Sequence, residues 1–266
     1  MSVLKGEGKV PILFGSTSIS AGSVIHGGYL ARPDVAGSSP TIIVLSAAWG
    51  VTSSTKDICR RLARQGFAVI APDLYVGTAP PRSESLEEAE LDAASLPPAR
   101  TAAIIEDIVE FVQNPAGYWS DAEHGYGILA LGSGARPGVT AAAAAAVEGL
   151  AMVSPSFIAP VEEIAEGDRD DTVGAVEQAG VEPDDATDDL AAVAAPILVL
   201  SGGADPNLAP EAIERCRGLA PHAEWIVYEA LAGDFVDDSG EGFDEPAFAD
   251  AMDRLTTFFE KQLSLS

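Results

Sequence analysis

Six short runs of β-branched and large apolar residues, at 42–45, 67–71, 127–131, 150–153, 197–201 and 225–228, are separated by stretches with helical spacing. A run apolar on every position suits a strand covered on both faces, and strands that alternate with helices make a parallel sheet. The intervening segments 55–65, 100–113, 136–147, 210–219 and 245–263 read as the crossover helices, several closed by Pro or Gly. Ahead of them, 19–30 and its surroundings read as antiparallel strands, with Arg32-Pro33-Asp34 as the turn-forming element. The fold class expected is therefore α/β, a mostly parallel sheet with helices on both faces.

Two connections break this rhythm. Residues 76–98 hold four prolines and a cluster of glutamates, a length that usually serves as a lid or binding loop. Residues 161–192 hold twelve acidic residues, one arginine (Arg169) and few large apolar groups. They read as a solvated excursion, or as a cap, since they leave the strand at 150–153 on the side where open α/β sheets bind ligands.

With 266 residues, 47% of them hydrophobic, the chain can bury one large core, and a single domain over 1–266 is expected. Cys59 and Cys216 stand in different helical segments without metal-ligand spacing and read as packing residues of a reducing compartment. No stretch is long and apolar enough to span a bilayer, so a cytoplasmic protein without a membrane partner is expected. Fifteen basic residues against 41 acidic ones give a formal charge of −26, which repels phosphate backbones and disfavours nucleic acid as a partner.

Four segments carry a likeness to a known family. Gly28-Tyr-Leu-Ala-Arg-Pro33, Ala48-Trp-Gly-Val51, the run 66–75 ending in Ala-Pro-Asp-Leu-Tyr75, and Ser201-Gly-Gly-Ala-Asp205 resemble, in order and spacing, successive signatures of the dienelactone hydrolases. The resemblance implies an α/β-hydrolase fold and cleavage of lactones or small esters. Members use a Cys or Ser on a sharp strand-to-helix turn, an Asp after a later strand and a His after the last. The hydroxyl or thiol is a poor nucleophile until the His takes its proton, and the Asp fixes the imidazole's tautomer.

Mapped by that resemblance, two of the three side chains are missing. The nucleophile position is Gly132, flanked by Ala130 and Gly134 in place of G-x-[CS]-x-G, and the His position after Tyr228 is Gly233. Glycine tolerates the positive φ of such a turn, so strain is relieved along with the loss of chemistry. The acid remains as Asp205, while Ala47 stands where the family carries a glutamate. Ser133 is one place late for a nucleophile. His222 and His124 each precede a strand, and His26 lies in the leading strands, so none is expected to reach Asp205.

The resemblance places an oxyanion hole at the backbone N–H groups of Ala48 and Ser133, with Arg136 in the first turn of the next helix. Close helix-to-strand packing explains the same glycines equally well. Asp205 with Asp234 forms a candidate acid/base pair, although an aspartate in such a loop is also a common turn former. Trp49, Tyr75, Phe157 and Phe235 are candidate pocket walls or plain core. No metal spacing is present and no cofactor is expected. Three functions are open: binding of a small carbonyl, carboxylate or lactone-like molecule without hydrolysis, a non-hydrolytic cyclase, isomerase or lyase using Asp205 and Asp234, or an ester hydrolase using Ser133.

Overall fold

A computed structural model describes residues 8–21, 24–75, 89, 98–114, 119–120, 125–156, 186–205, 208 and 210–263. Among these, eight strands form one sheet: β1 (Ile12–Ala21), β2 (Val24–Pro33), β3 (Thr41–Leu45), β4 (Ala68–Pro72), β5 (Tyr126–Leu131), β6 (Gly149–Val153), β7 (Ile197–Gly202) and β8 (Glu224–Tyr228). Their spatial order is β1-β2-β4-β3-β5-β6-β7-β8. All pairings from β4 onward are parallel, and β2 joins β1 and β4 antiparallel. All six expected runs are strands, each within a residue or so of the bounds read from sequence.

Side chains alternate across this sheet and divide the core in two. Ile43 and Leu45 of β3, Ile128 and Ala130 of β5, and Leu150 and Met152 of β6 face one side. There they meet α2 (Pro98–Gln113), α3 (Ala135–Ala144), α4 (Ala186–Ala192) and α5 (Pro210–Leu219). Ile42, Val44, Leu129 and Val153 face α1 (Ser53–Arg64) and α6 (Glu245–Gln262) on the other. Both faces are covered, which is why the runs are apolar at every position. The caps follow from composition: Thr52 accepts Thr55 N–H at 3.2 Å ahead of α1, and Asp244 accepts Ala247 N–H at 2.9 Å ahead of α6.

Two expectations need correction. Arg32-Pro33 does not form the turn between the leading strands. Both residues lie at the end of β2, opposite Leu13 and Ile12, and the chain reverses between the partners Ala21 and Val24. Gly22-Ser23 is the dipeptide type that suits a two-residue hairpin, and it was the better turn signal. The tail of the acidic stretch is also anchored, because α4 buries Leu190 with Val193 after it, and Thr140 of α3 donates to Asp189 at 2.7 Å. Residues 157–185, and with them Phe157 and most of the proposed cap, lie outside the described residues, as does His124.

Candidate functional site

The carboxyl ends of β3, β5, β7 and β8 lie at one rim, with β6 between β5 and β7, and each is followed by residues singled out in the sequence. After β5 the backbone turns sharply through Gly132, whose φ is +52°, into a single turn of 3₁₀ helix (Gly132–Gly134) and then α3. An L side chain rarely adopts that φ, so the strained strand-to-helix turn is present and glycine occupies it. A Cβ added there would come 3.0 Å from the Ala47 Cβ on the loop after β3. Gly134 serves packing: a Cβ there would lie 2.5 Å from the Leu45 carbonyl oxygen and 2.8 Å from that of Ser46.

The β3 loop is built from its own backbone. Gly50 N–H returns to the Ala47 carbonyl at 2.9 Å, and this turn buries Ala48 while leaving Trp49 half-buried. Tyr75, three residues past the end of β4, is buried beside Ser133. Burial pushes the Tyr75 phenol up, and the neighbouring Ser133 hydroxyl pulls it partly back. Ser133 Oγ itself is shut off from solvent and makes no hydrogen bond of normal geometry. Arg136 is half-buried in the first turn of α3.

The loops after β7 and β8 are tied together by Gly203 N–H to the Tyr228 carbonyl and Ala204 N–H to the Leu231 carbonyl, both 2.9 Å. This places Asp205 against Gly233. A Cβ built on Gly233 would lie 2.2 Å from Asp205 Oδ2, so the carboxylate fills the volume a side chain at 233 would need. The Asp234 carboxylate is engaged differently, accepting Gly242 N–H at 3.0 Å, the turn-forming arrangement. Phe235 is wholly buried, its ring 4.8 Å from that of Tyr228, and belongs to the α6 side of the core.

The described histidines sit elsewhere. His26 Nε2 is 2.6 Å from Asp107 Oδ2 of α2, and five strand spacings separate β2 from β7, roughly 24 Å. His222 is exposed in the turn ahead of β8, at the opposite end of that strand from Gly233. Sequence reading did not find the His26–Asp107 pair, because no local spacing links residues 81 positions apart. It also missed that Ser46, Ser154 and Ser201, at the ends of β3, β6 and β7, bury hydroxyls without a hydrogen-bond partner. Ser154 holds a φ of +47°. Among the described residues no group of three or more His, Cys, Asp or Glu could hold a metal ion, and no helix is long and apolar enough to cross a membrane.

Strand order, the two-sided helical cover and the sharp turn after β5 define an α/β-hydrolase fold. The dienelactone hydrolase family model matches residues 26–126. A Salmonella typhimurium protein that carries the name carboxymethylenebutenolidase is 28% identical over 92% of this chain and 86% of its own length. A Methylorubrum extorquens protein of the same name is 27% identical over 97% and 81%. The crystal structure of a Klebsiella pneumoniae protein named as a dienelactone hydrolase superposes with a TM-score of 0.74 at 22% identity, covering 96% of this chain and all (100%) of that one. For the Anabaena variabilis dienelactone hydrolase the values are 0.64, 15%, 94% and 98%. By sequence over residues 26–126, and by fold over 96% of its length, this chain is similar to the dienelactone hydrolases.

Proposed function

We propose that this protein binds a small carbonyl, carboxylate or lactone-like molecule at the carboxyl rim and does not carry out conventional ester hydrolysis. The observation that carries the reading is the pair of glycines. Gly132 occupies the positive-φ turn, and Gly233 lies against the Asp205 carboxylate, at the two positions where the family resemblance calls for nucleophile and base. Neither described histidine, His26 or His222, lies at this rim, and without an imidazole to take its proton a hydroxyl stays a poor nucleophile.

Binding needs less than hydrolysis does. The main-chain N–H groups of Ala48 and Ser133 flank the turn and do not depend on the lost side chains. The start of α3, with Arg136 in its first turn, favours a partially negative oxygen at the same place. Trp49 and Tyr75 supply apolar surface beside it. An acid/base enzyme built on Asp205 and Asp234 is the less favoured reading, because the Asp234 carboxylate is held by Gly242 N–H. Hydrolysis through Ser133 is disfavoured by its enclosed hydroxyl beside a phenol rather than an imidazole.

The test is kinetic and calorimetric. Purified protein is expected to give neither burst nor turnover with activated aryl esters, and Ser133→Ala is expected to change nothing. Titration with a small lactone and its ring-opened hydroxy-carboxylate is expected to show saturable binding that Arg136→Ala weakens. Ser133-dependent turnover would overturn the proposal.

A further inference from the structure

We infer that β1 is a dimerisation edge, across which two copies of this chain join their sheets antiparallel about a two-fold axis near Ser16. Among the described residues β1 ends the sheet, with β2 on one side and no strand on the other. It is ten residues long, Ile-Leu-Phe-Gly-Ser-Thr-Ser-Ile-Ser-Ala, with no charge and no proline. Soluble proteins normally blunt such an edge with lysine, proline, a bulge or brevity, since a row of free N–H and C=O groups recruits another strand. The opposite edge strand, β8, has half as many residues and begins with the exposed Glu224.

Exposed apolar side chains lie along this hairpin, Leu13, Phe14 and Val35 toward one end and Val24 and Ile25 beside its turn. Phe14 is 58% and Ile25 67% exposed, with Leu13, Val24 and Val35 each close to half. Phe14 lies on the α1 side, under the Arg60 guanidinium at 5.6 Å, whereas Leu13 faces the α2 side with Ile19. The apolar surface therefore wraps both faces of the edge, as a strand continuing the sheet would require.

The distribution of charge leaves this edge open to a second copy, and an antiparallel pairing of identical strands is self-complementary. Two molecules of charge −26 repel one another wherever their acidic surfaces meet. Those acids are distributed very unevenly: none of the 41 falls within residues 8–33. Residues 1–75 hold seven basic and four acidic residues, and the remaining 191 hold eight and 37. The β1–β2 hairpin is thus a long described edge with no acid of its own, where like-charged copies meet with less repulsion than across the acid-rich residues beyond 75.

Geometry restricts the register. A two-fold axis normal to the sheet keeps each face on its own side, and directly opposed residues of an antiparallel pair share a face. Opposed positions must then be both odd or both even. An axis through Ser16 sets Leu13 against the partner's Ile19 on the α2 side, Phe14 against the partner's Ser18 on the α1 side, and Ser16 against itself.

Ser16 is exposed, so it can be changed without disturbing the monomer core. Sedimentation velocity of the full chain at micromolar concentration is expected to show a species of twice the 27.4 kDa chain mass. Ser16→Lys alone and Ser16→Glu alone are each expected to raise the dimer dissociation constant at least tenfold, with circular dichroism unchanged. An equimolar mixture of the two variants is expected to recover the dimer, because Lys and Glu then face one another at the axis. A wild-type chain that stays monomeric would overturn the inference. So would dimers indifferent to both substitutions, or a mixture that stays monomeric.

Discussion

The carboxylate of Asp205 and the α-carbon of Gly233 share one small volume: a Cβ on Gly233 would lie 2.2 Å from Asp205 Oδ2. The loops after β7 and β8 have closed together over the place where the family resemblance expects an imidazole. Gly233→Ala must displace the carboxylate and is expected to destabilise the fold by about 1–3 kcal/mol. In an Asp205→Ala background the same change should cost much less. Denaturant unfolding of the four proteins gives the coupling, and equal costs in both backgrounds would contradict the contact.

The two glycines of the turn after β5 have different roles, and stability measurements separate them. Gly132→Ala meets an unfavourable φ of +52° and one tight contact, 3.0 Å to the Ala47 Cβ on a loop, so a loss of about 1 kcal/mol is expected. Gly134→Ala drives a methyl to 2.5 Å from the Leu45 carbonyl oxygen, which only a backbone shift relieves. It is expected to cost more than Gly132→Ala, at roughly 2–3 kcal/mol.

Burial pushes the Cys59 thiol up to about 12, with a smaller opposing pull from Arg60. The thiolate is the reactive form, so neither native thiol is expected to react with Ellman's reagent at pH 8, since Cys216 is buried too. Both should appear, two per chain, on unfolding in guanidinium.

Asp57 provides a pH-dependent term. Burial opposes its charge, but the hydrogen bonds and charges of Arg61, at 2.6 Å, and Arg60, at 3.1 Å, outweigh this and hold its carboxyl below the usual 3.8. A folded pKa below the unfolded one means a stabilising contribution present above about pH 4 that fades as pH falls through the folded value. Asp57→Asn is therefore expected to be less stable than wild type at pH 7, with the gap closing below pH 4. A gap independent of pH would rule out the ion pair as its cause.

Much of the fold was legible in order along the chain. The six parallel strands and the five helices read among and after them are local signals, since period and punctuation belong to consecutive residues. The hairpin turn was misplaced because Arg32-Pro33 carries a turn signature that an edge-proximal strand end also tolerates. The grip of α4 on the sheet was missed because one leucine, Leu190, anchors it within an acid-rich stretch. At the site, sequence order singled out Gly132, Gly233 and Asp205 as candidates, and the fold sets Gly132 at the positive-φ turn after β5 and Asp205 against Gly233. The engagement of Asp234 with Gly242 and the enclosure of Ser133 came only with the fold.

The residues alone determined which groups exist: a retained acid, two glycines where the family uses reactive side chains, and an acid-free leading hairpin. Those are properties of composition and order, and no folding could give Gly132 a nucleophile or Gly233 an imidazole. The tertiary structure decided which groups meet, closing Gly233 onto Asp205 and drawing His26 to Asp107 across 81 positions. Contacts of that kind depend on strand order and crossover length, which no local pattern encodes.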